Sequence, residues 1–233
     1  MTADYDYTAN VDNFSKIPGS PIAYWVSNTV FSLFEEEKKL IEYGKGVKGL
    51  DTGNDNYFLK IWWEIDHLNN DWRGFCKGGS FRKWYGNKYY VIRWANDGYE
   101  VKNYKDKNGF SLSYVRNREL YFQKGLEWSR IASDSFGVRL MIDSCFGGGS
   151  QAAFIYNDDF FNYIFALLNS KLSVFFIRMI NPTLVTQAGT INAIPLIVGD
   201  ANLDNIVNEN VTLCKSDWDS FETSWDFKKH PLI

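Results

Sequence analysis

The chain has 233 residues, enough to bury a full core as one large domain or two small ones. Hydrophobic residues at 45% and charged residues at 23% exclude a disordered chain, and a formal charge of −3 argues against a generically basic nucleic-acid binder. The unusual quantity is an aromatic content of 18%, which has to be accounted for by core filling or by contact with a ligand.

Taken in chain order, Ser20 as N-cap and Pro21 at the first helical position predict a helix over 21–43, with Ile22, Trp25, Val26, Val30, Leu33, Phe34, Leu40 and Ile41 on one face. Glu35 and Lys39 are spaced to pair on the opposite face, and Gly44 stops the helix. Aromatic and β-branched runs predict strands over 57–65, 89–94 and 99–104, the last two flanking an Ala95-Asn96-Asp97-Gly98 hairpin turn. Residues 137–142 and 153–156 are further strand candidates, with Gly147-Gly148-Gly149-Ser150 as a flexible or tightly turned loop. A helix is predicted over 158–180, closed by Pro182, then an extended segment over 191–197 and an acidic amphipathic helix over 203–227. Residues 160–180 imitate a membrane span, but a central Lys171 costs about 2.5–3.5 kcal/mol there, so a core helix is expected and no membrane partner.

Cys76, Cys145 and Cys214 are odd in number and form no C-x-x-C pair, so no disulfide framework is expected and a reducing, cytoplasmic setting follows. With only His67 and His230, a structural zinc site lacks ligands. The acidic, polar start MTADYDYTAN is not a signal peptide. The fold class read from these elements is α+β: one mixed-sheet domain with helical segments at both ends.

The whole-chain charge conceals an uneven distribution. Residues 1–71 carry 6 Lys/Arg against 12 Asp/Glu (−6), residues 72–130 carry 13 against 5 (+8), and residues 131–233 carry 6 against 11 (−5). The basic stretch also holds Trp72, Phe75, Phe81, Trp84, Tyr85, Tyr89, Tyr90 and Trp94. Cations suit phosphates, Arg, Lys and Asn suit base edges, and rings suit unstacked bases. The plainer alternative is that the rings fill the core and the cations solvate the outer face.

No dinucleotide fingerprint, P-loop, nucleophile elbow or zincin motif occurs, and no nucleophile–base pair stands out. Asn181-Pro182-Thr183-Leu184 starts like the Asn-Pro-Pro-aromatic motif of amino-group methyltransferases but lacks its second proline and its aromatic residue. Asp71 with Glu100-x-Lys102 fits a loose metal-dependent nuclease pattern, equally explained by surface charges. No catalytic or metal-binding residue is assigned.

Several longer strings do carry a resemblance: FSKIPGSPIAYWV (14–26), GLDTGNDNYFL (49–59), GGSFRKWYGN (78–87), WANDGYE (94–100), WSRIASDSFGVR (128–139), LLNSK (167–171), NPTLVTQAGTINAIP (181–195) and DWDSFETSWDFKKHPL (217–232). With them the chain resembles the C-terminal half of PglX-type adenine-specific DNA methyltransferases of bacteriophage-exclusion (BREX) systems. The resemblance implies a target recognition domain similar to those of type I restriction specificity subunits, following a catalytic domain that binds S-adenosylmethionine. This chain lacks that catalytic half, so no cofactor is expected here. It reads as a C-terminal portion or a stand-alone remnant of such an enzyme, working with a methyltransferase domain in cis or in trans. The implied division is a linker and helix over 1–45, a recognition domain over 46–200 and a helical tail over 201–233.

The resemblance and the charge map together mark double-stranded DNA as partner, contacted by Lys48, Thr52, Asn54, Lys77, Arg82, Lys83, Asn87, Lys88, Arg93, Arg116, Arg118, Arg130, Arg139, Thr183 and Gln187. Trp84 and Tyr85 are read as core or stacking residues. The alternatives are a module binding other defence-system subunits and a divergent nuclease.

Overall fold

The computed structural model describes residues 10–66, 71–132, 135–199 and 202–233; the start MTADYDYTA and His67 lie outside them. The chain runs α1 (Asn28–Glu36), α2 (Leu40–Tyr43), β1 (Gly44–Val47), α3 (Asp55–Phe58), β2 (Leu59–Ile61), β3 (Trp72–Cys76), β4 (Tyr90–Arg93) and α4 (Ala95–Lys102). It continues with β5 (Gly125–Ser129), β6 (Val138–Met141), β7 (Ser144–Phe146), β8 (Ser150–Ile155), α5 (Phe161–Asn169), α6 (Lys171–Ile180), α7 (Ala188–Asn192) and α8 (Asp204–Asp219). The α+β class expected from sequence is what the chain adopts.

Two four-stranded sheets form. One is antiparallel in the order β1-β8-β5-β6; the other has the order β2-β4-β3-β7 and is mixed, because β3 and β7 run parallel. The first sheet lies between two cores. Leu126, Trp128, Val138 and Ala153 face a helical layer that includes Phe34, Phe165, Leu168, Phe176 and Val207. Met141, Ala152 and Phe154 face the second sheet's Phe75, Ile92, Cys145 and Phe146. Alternation along a strand sends successive side chains to opposite faces, so both neighbours of Glu127 enter the helical core while Glu127 points between the sheets.

Several predicted elements are corrected. The helix over 21–43 is broken. Residues 21–26 form turns, with Ile22 72% and Trp25 54% exposed, and Ser20 has φ 47°, which is not an N-cap conformation. The helix begins after Ser27 and stops at Glu36, where Lys39 donates to the carbonyls of Phe34 (2.5 Å) and Glu37 (2.7 Å); Glu35 pairs with Lys16 at 2.8 Å instead. Only Leu59–Ile61 of the predicted 57–65 strand is extended. The predicted hairpin is absent. Asn96, Asp97 and Gly98 all take left-handed φ (49°, 58°, 71°), one more than a two-residue hairpin turn uses, and the chain leaves them in a helical turn. β4 therefore pairs with β2 and β3.

The predicted 158–180 helix is two helices bent by 73°, because extended Ser170 ends α5 and its Oγ caps α6 through Ser173 N. Among the described residues no single helix is long and apolar enough to cross a membrane. α7 takes in the first two residues of the extended segment predicted over 191–197, and α8 ends at Asp219, short of the predicted 227. The three cysteines are free thiols; burial pushes the Cys76 thiol up to about 12.

Candidate nucleic-acid interface

One rim of loops gathers candidates from distant parts of the sequence. Leu50 N donates to Phe146 O (2.9 Å) and Gly148 N to Leu50 O (3.0 Å), which lays the β1–α3 loop along the glycine loop. Asp51 is exchanged with Tyr114 through two backbone bonds of 3.0 and 2.8 Å. Its carboxylate accepts from Lys48 Nζ (2.9 Å) and Arg116 Nη1 (2.6 Å). Partial burial works against its ionisation, but these two hydrogen bonds and the charges behind them hold its carboxyl below the ordinary value. Lys77 Nζ reaches Asp55 at 3.0 Å and lies over the Tyr90 ring.

The glycines there are required by close approach and not by φ. A Cβ on Gly148 would stand 2.3 Å from Asp51 Oδ1, and one on Gly149 would stand 2.8 Å from Lys77 O. A recess of about 370 Å³ results, bounded by Asp51, Thr52, Asp55, Lys77 and Gly147–Gly149. Arg130 borders it: its N donates to Gly149 O (3.0 Å) and its carbonyl accepts from Thr186 N (2.8 Å). That second bond brings the loop with exposed Thr183 and Gln187 alongside. Arg130 has no carboxylate partner among the described residues. Lys48, Lys77, Arg116, Arg130, Thr183 and Gln187 are thus brought together around one loop cluster.

Other candidates are placed elsewhere. Arg139 is 1% exposed and cannot reach DNA: it forms a two-pronged pair with Glu127 (Nε–Oε1 2.6 Å, Nη2–Oε2 2.8 Å), its direct cross-strand neighbour. Ser150 Oγ donates to the same carboxylate, and Arg139 also donates to Ser129 Oγ (3.2 Å) and to Arg82 O (3.4 Å). Burial alone would favour loss of the proton, yet the Glu127 charge holds the guanidinium's pKa above its ordinary value. Asn87 is 4% exposed, donates to Ser80 O (2.9 Å) and sits in left-handed φ (57°); it shapes the Gly79–Gly86 turn instead of meeting a base. Thr52 is buried with its hydroxyl donated to Asp55, so it offers no free hydroxyl. Asn54 caps α3 through Tyr57 N (3.2 Å) and donates to the Tyr104 hydroxyl (3.3 Å).

The Phe81–Lys88 segment is held by the rest of the fold. Trp84 extends the β6 edge (N to Val138 O 2.7 Å; Leu140 N to its O 2.8 Å), and its ring packs on Phe165, so it belongs to the core. Lys83 Nζ donates to Asn169 O at 2.6 Å. The C-terminal tail covers what remains: Arg82 pairs with Asp217 (2.9 Å) above the Trp218 ring, and Lys215 lies 5.1 Å from the Tyr85 ring centre. Arg93 pairs with Glu100 (3.3 Å) and Arg118 with Asp97, on the far side of β4. Glu100 also accepts from the Tyr57 hydroxyl and Lys102 Nζ pairs with Asp97 at 2.9 Å, so the loose nuclease pattern is an ion-pair network. Among the described residues no cluster of three His, Cys, Asp or Glu could hold a metal.

Sequence reasoning missed the tail's role. Asp217-Trp218 and Trp225 alternate acid and ring opposite a basic aromatic segment, and that complementarity was readable.

No protein-family model matches the chain. It is 37% identical over 235 residues to the adenine-specific methyltransferase BrxX of Escherichia coli O9:H4 (strain HS), covering 95% of this chain and 19% of that protein. It is 30% identical over 247 residues to the adenine-specific methyltransferase PglX of Lacticaseibacillus casei (strain Zhang), covering 99% of this chain and 20% of that protein. The chain therefore spans about one fifth of these curated relatives and is homologous to a part of each.

Proposed function

We propose that the chain is the DNA target recognition part of an adenine-specific methyltransferase acting in phage defence in the cytoplasm. It binds duplex DNA and positions it for N6-adenine methylation by a catalytic portion that holds S-adenosylmethionine. The homology to a fifth of two adenine-specific methyltransferases carries the reading. The loop rim supports it: Lys48, Lys77 and Arg116 are oriented by carboxylates that leave most of their donors open, and Arg130 pairs with no carboxylate among the described residues. Within this reading residues 46–200 form the recognition domain.

The test is a salt series of duplex binding by fluorescence anisotropy. Phosphate contacts make the logarithm of affinity fall linearly with that of salt, and each lost contact lowers the slope by about 1. Arg130→Ala and Lys77→Ala are each expected to flatten the slope by that amount, while Arg93→Ala, placed off the rim, leaves it unchanged. Salt-independent binding, or equal slopes for all three variants and the parent, sinks the reading.

A further inference from the structure

A second concavity shares Phe75 with the rim recess and opens between the β3–β4 sheet and the C-terminal tail, on a different set of side chains. It measures about 550 Å³, within the usual range for small-ligand sites. Trp62, Trp72, Tyr85, Trp218 and Trp225 wall it, with Lys88 at its edge. The walls are pre-set. Trp62 donates Nε1–H to Thr223 O at 2.9 Å and packs edge-on to Trp225 with centroids 4.9 Å apart. Trp218 is fixed against Tyr89 at 4.8 Å.

The charge balance selects the ligand. Asp226 is engaged by Lys215 (2.7 Å), and Asp143 is engaged by Arg73. Lys88 has no carboxylate partner among the described residues; its Nζ rests 4.9 Å from the Tyr85 ring centre. A cationic guest, the usual occupant of an aromatic cage, would meet this uncompensated ammonium and be repelled. A flat ring carrying one anionic group fits: the ring stacks on Trp225, which is 40% exposed, and the anion takes Lys88.

We propose that this cleft binds a nucleoside monophosphate unit, its base against the exposed Trp225 ring and its phosphate on Lys88. The unit comes from one of two sources, a free nucleotide or an unpaired nucleotide of a DNA strand. The proposal is independent of duplex binding at the loop rim, and either can fail without the other.

The experiment is a titration of the chain's tryptophan fluorescence with dAMP, with deoxyadenosine, and with duplexes that do or do not carry one unpaired nucleotide. Saturable quenching by dAMP is expected, with deoxyadenosine binding about tenfold more weakly. Lys88→Ala is expected to abolish that tenfold difference, while Lys45→Ala, the exposed residue of otherwise buried β1, preserves it. Should Lys88→Ala fold poorly, Lys88→Gln provides the same loss of charge. A duplex with an unpaired nucleotide that quenches more tightly than dAMP identifies a DNA source; equal or weaker quenching identifies the free nucleotide. Absence of saturable quenching by any ligand, or a dAMP-to-deoxyadenosine difference that survives both Lys88 variants, overturns the proposal.

Discussion

The loop rim around Gly147–Gly149 and the segment Phe81–Lys88 take most of their cations from the same basic stretch, yet the fold uses them differently. At the rim, Lys77 and Arg116 meet carboxylates at the surface and Arg130 meets none among the described residues. In the segment, Lys83 donates to a backbone carbonyl, Arg82 is pinned under the tail, and the backbone between them is anchored to fully buried Arg139. A run of positive charge in sequence is therefore two things in space: exposed cations, whose pairs at the rim and at Arg82 can exchange partners, and a scaffold fixed through buried Arg139. The difference is desolvation. A buried ion pair stripped of one partner leaves an uncompensated charge, whereas an exposed one returns to water.

The sharpest way to break this comparison is Arg139→Met. It strands Glu127 between the sheets, and a loss of about 3–5 kcal/mol in urea unfolding is expected. Replacing both partners, Glu127→Leu with Arg139→Met, is expected to recover much of that loss. A single variant as stable as the parent would place Arg139 with the rim cations and dissolve the distinction. The next largest effect is at the tail. Asp217→Asn removes an ion pair whose side chains are 30% and 60% exposed, so no more than about 0.2–1 kcal/mol of stability is expected to go. If Arg82 belongs to the scaffold, Asp217→Asn leaves the salt slope of duplex binding unchanged. A steeper slope would move Arg82 to the interface.

The sequence made some of this readable. The α+β class, the strands around 90–93 and 138–141, the second half of β8 and the two-carboxylate start of the α5 region all followed from periodicity and local chemistry. The errors share a cause. Ser170, Glu36 and the Asn96–Gly98 turn end or redirect elements through local contacts: a lysine capping from just beyond the helix, a serine capping the next helix, a third left-handed residue. None of these alters the hydrophobic period that the prediction used. Burial of Arg139 was hidden for a related reason. Its strand neighbours are apolar on both sides, and only the cross-strand register with Glu127 shows that a charge is accommodated there. The rim was half legible: Lys48, Lys77, Arg116 and Arg130 were chosen for type, but Asp51 and Asp55, which orient the lysines, were not.

Asp51 supplies the smallest and most discriminating test of the rim. Its folded pKa lies below the unfolded value of about 3.9, because Lys48 and Arg116 favour the ionised form. The sign then follows from linkage: the unfolded chain binds the proton more readily, so the contribution is fully present above about pH 4 and is lost as pH falls through the folded value. Its side chain is 35% exposed, so screening limits the effect to a few tenths of a kcal/mol. The stability difference between the parent and Asp51→Asn is expected at neutral pH and is expected to close on acidification. A difference that persists below the folded pKa would mean that the substitution acts through side-chain hydrogen bonding and not through the Asp51 charge. In that case the Asp51 charge does not offset those of Lys48 and Arg116, and the rim is more positive than its ion pairs indicate.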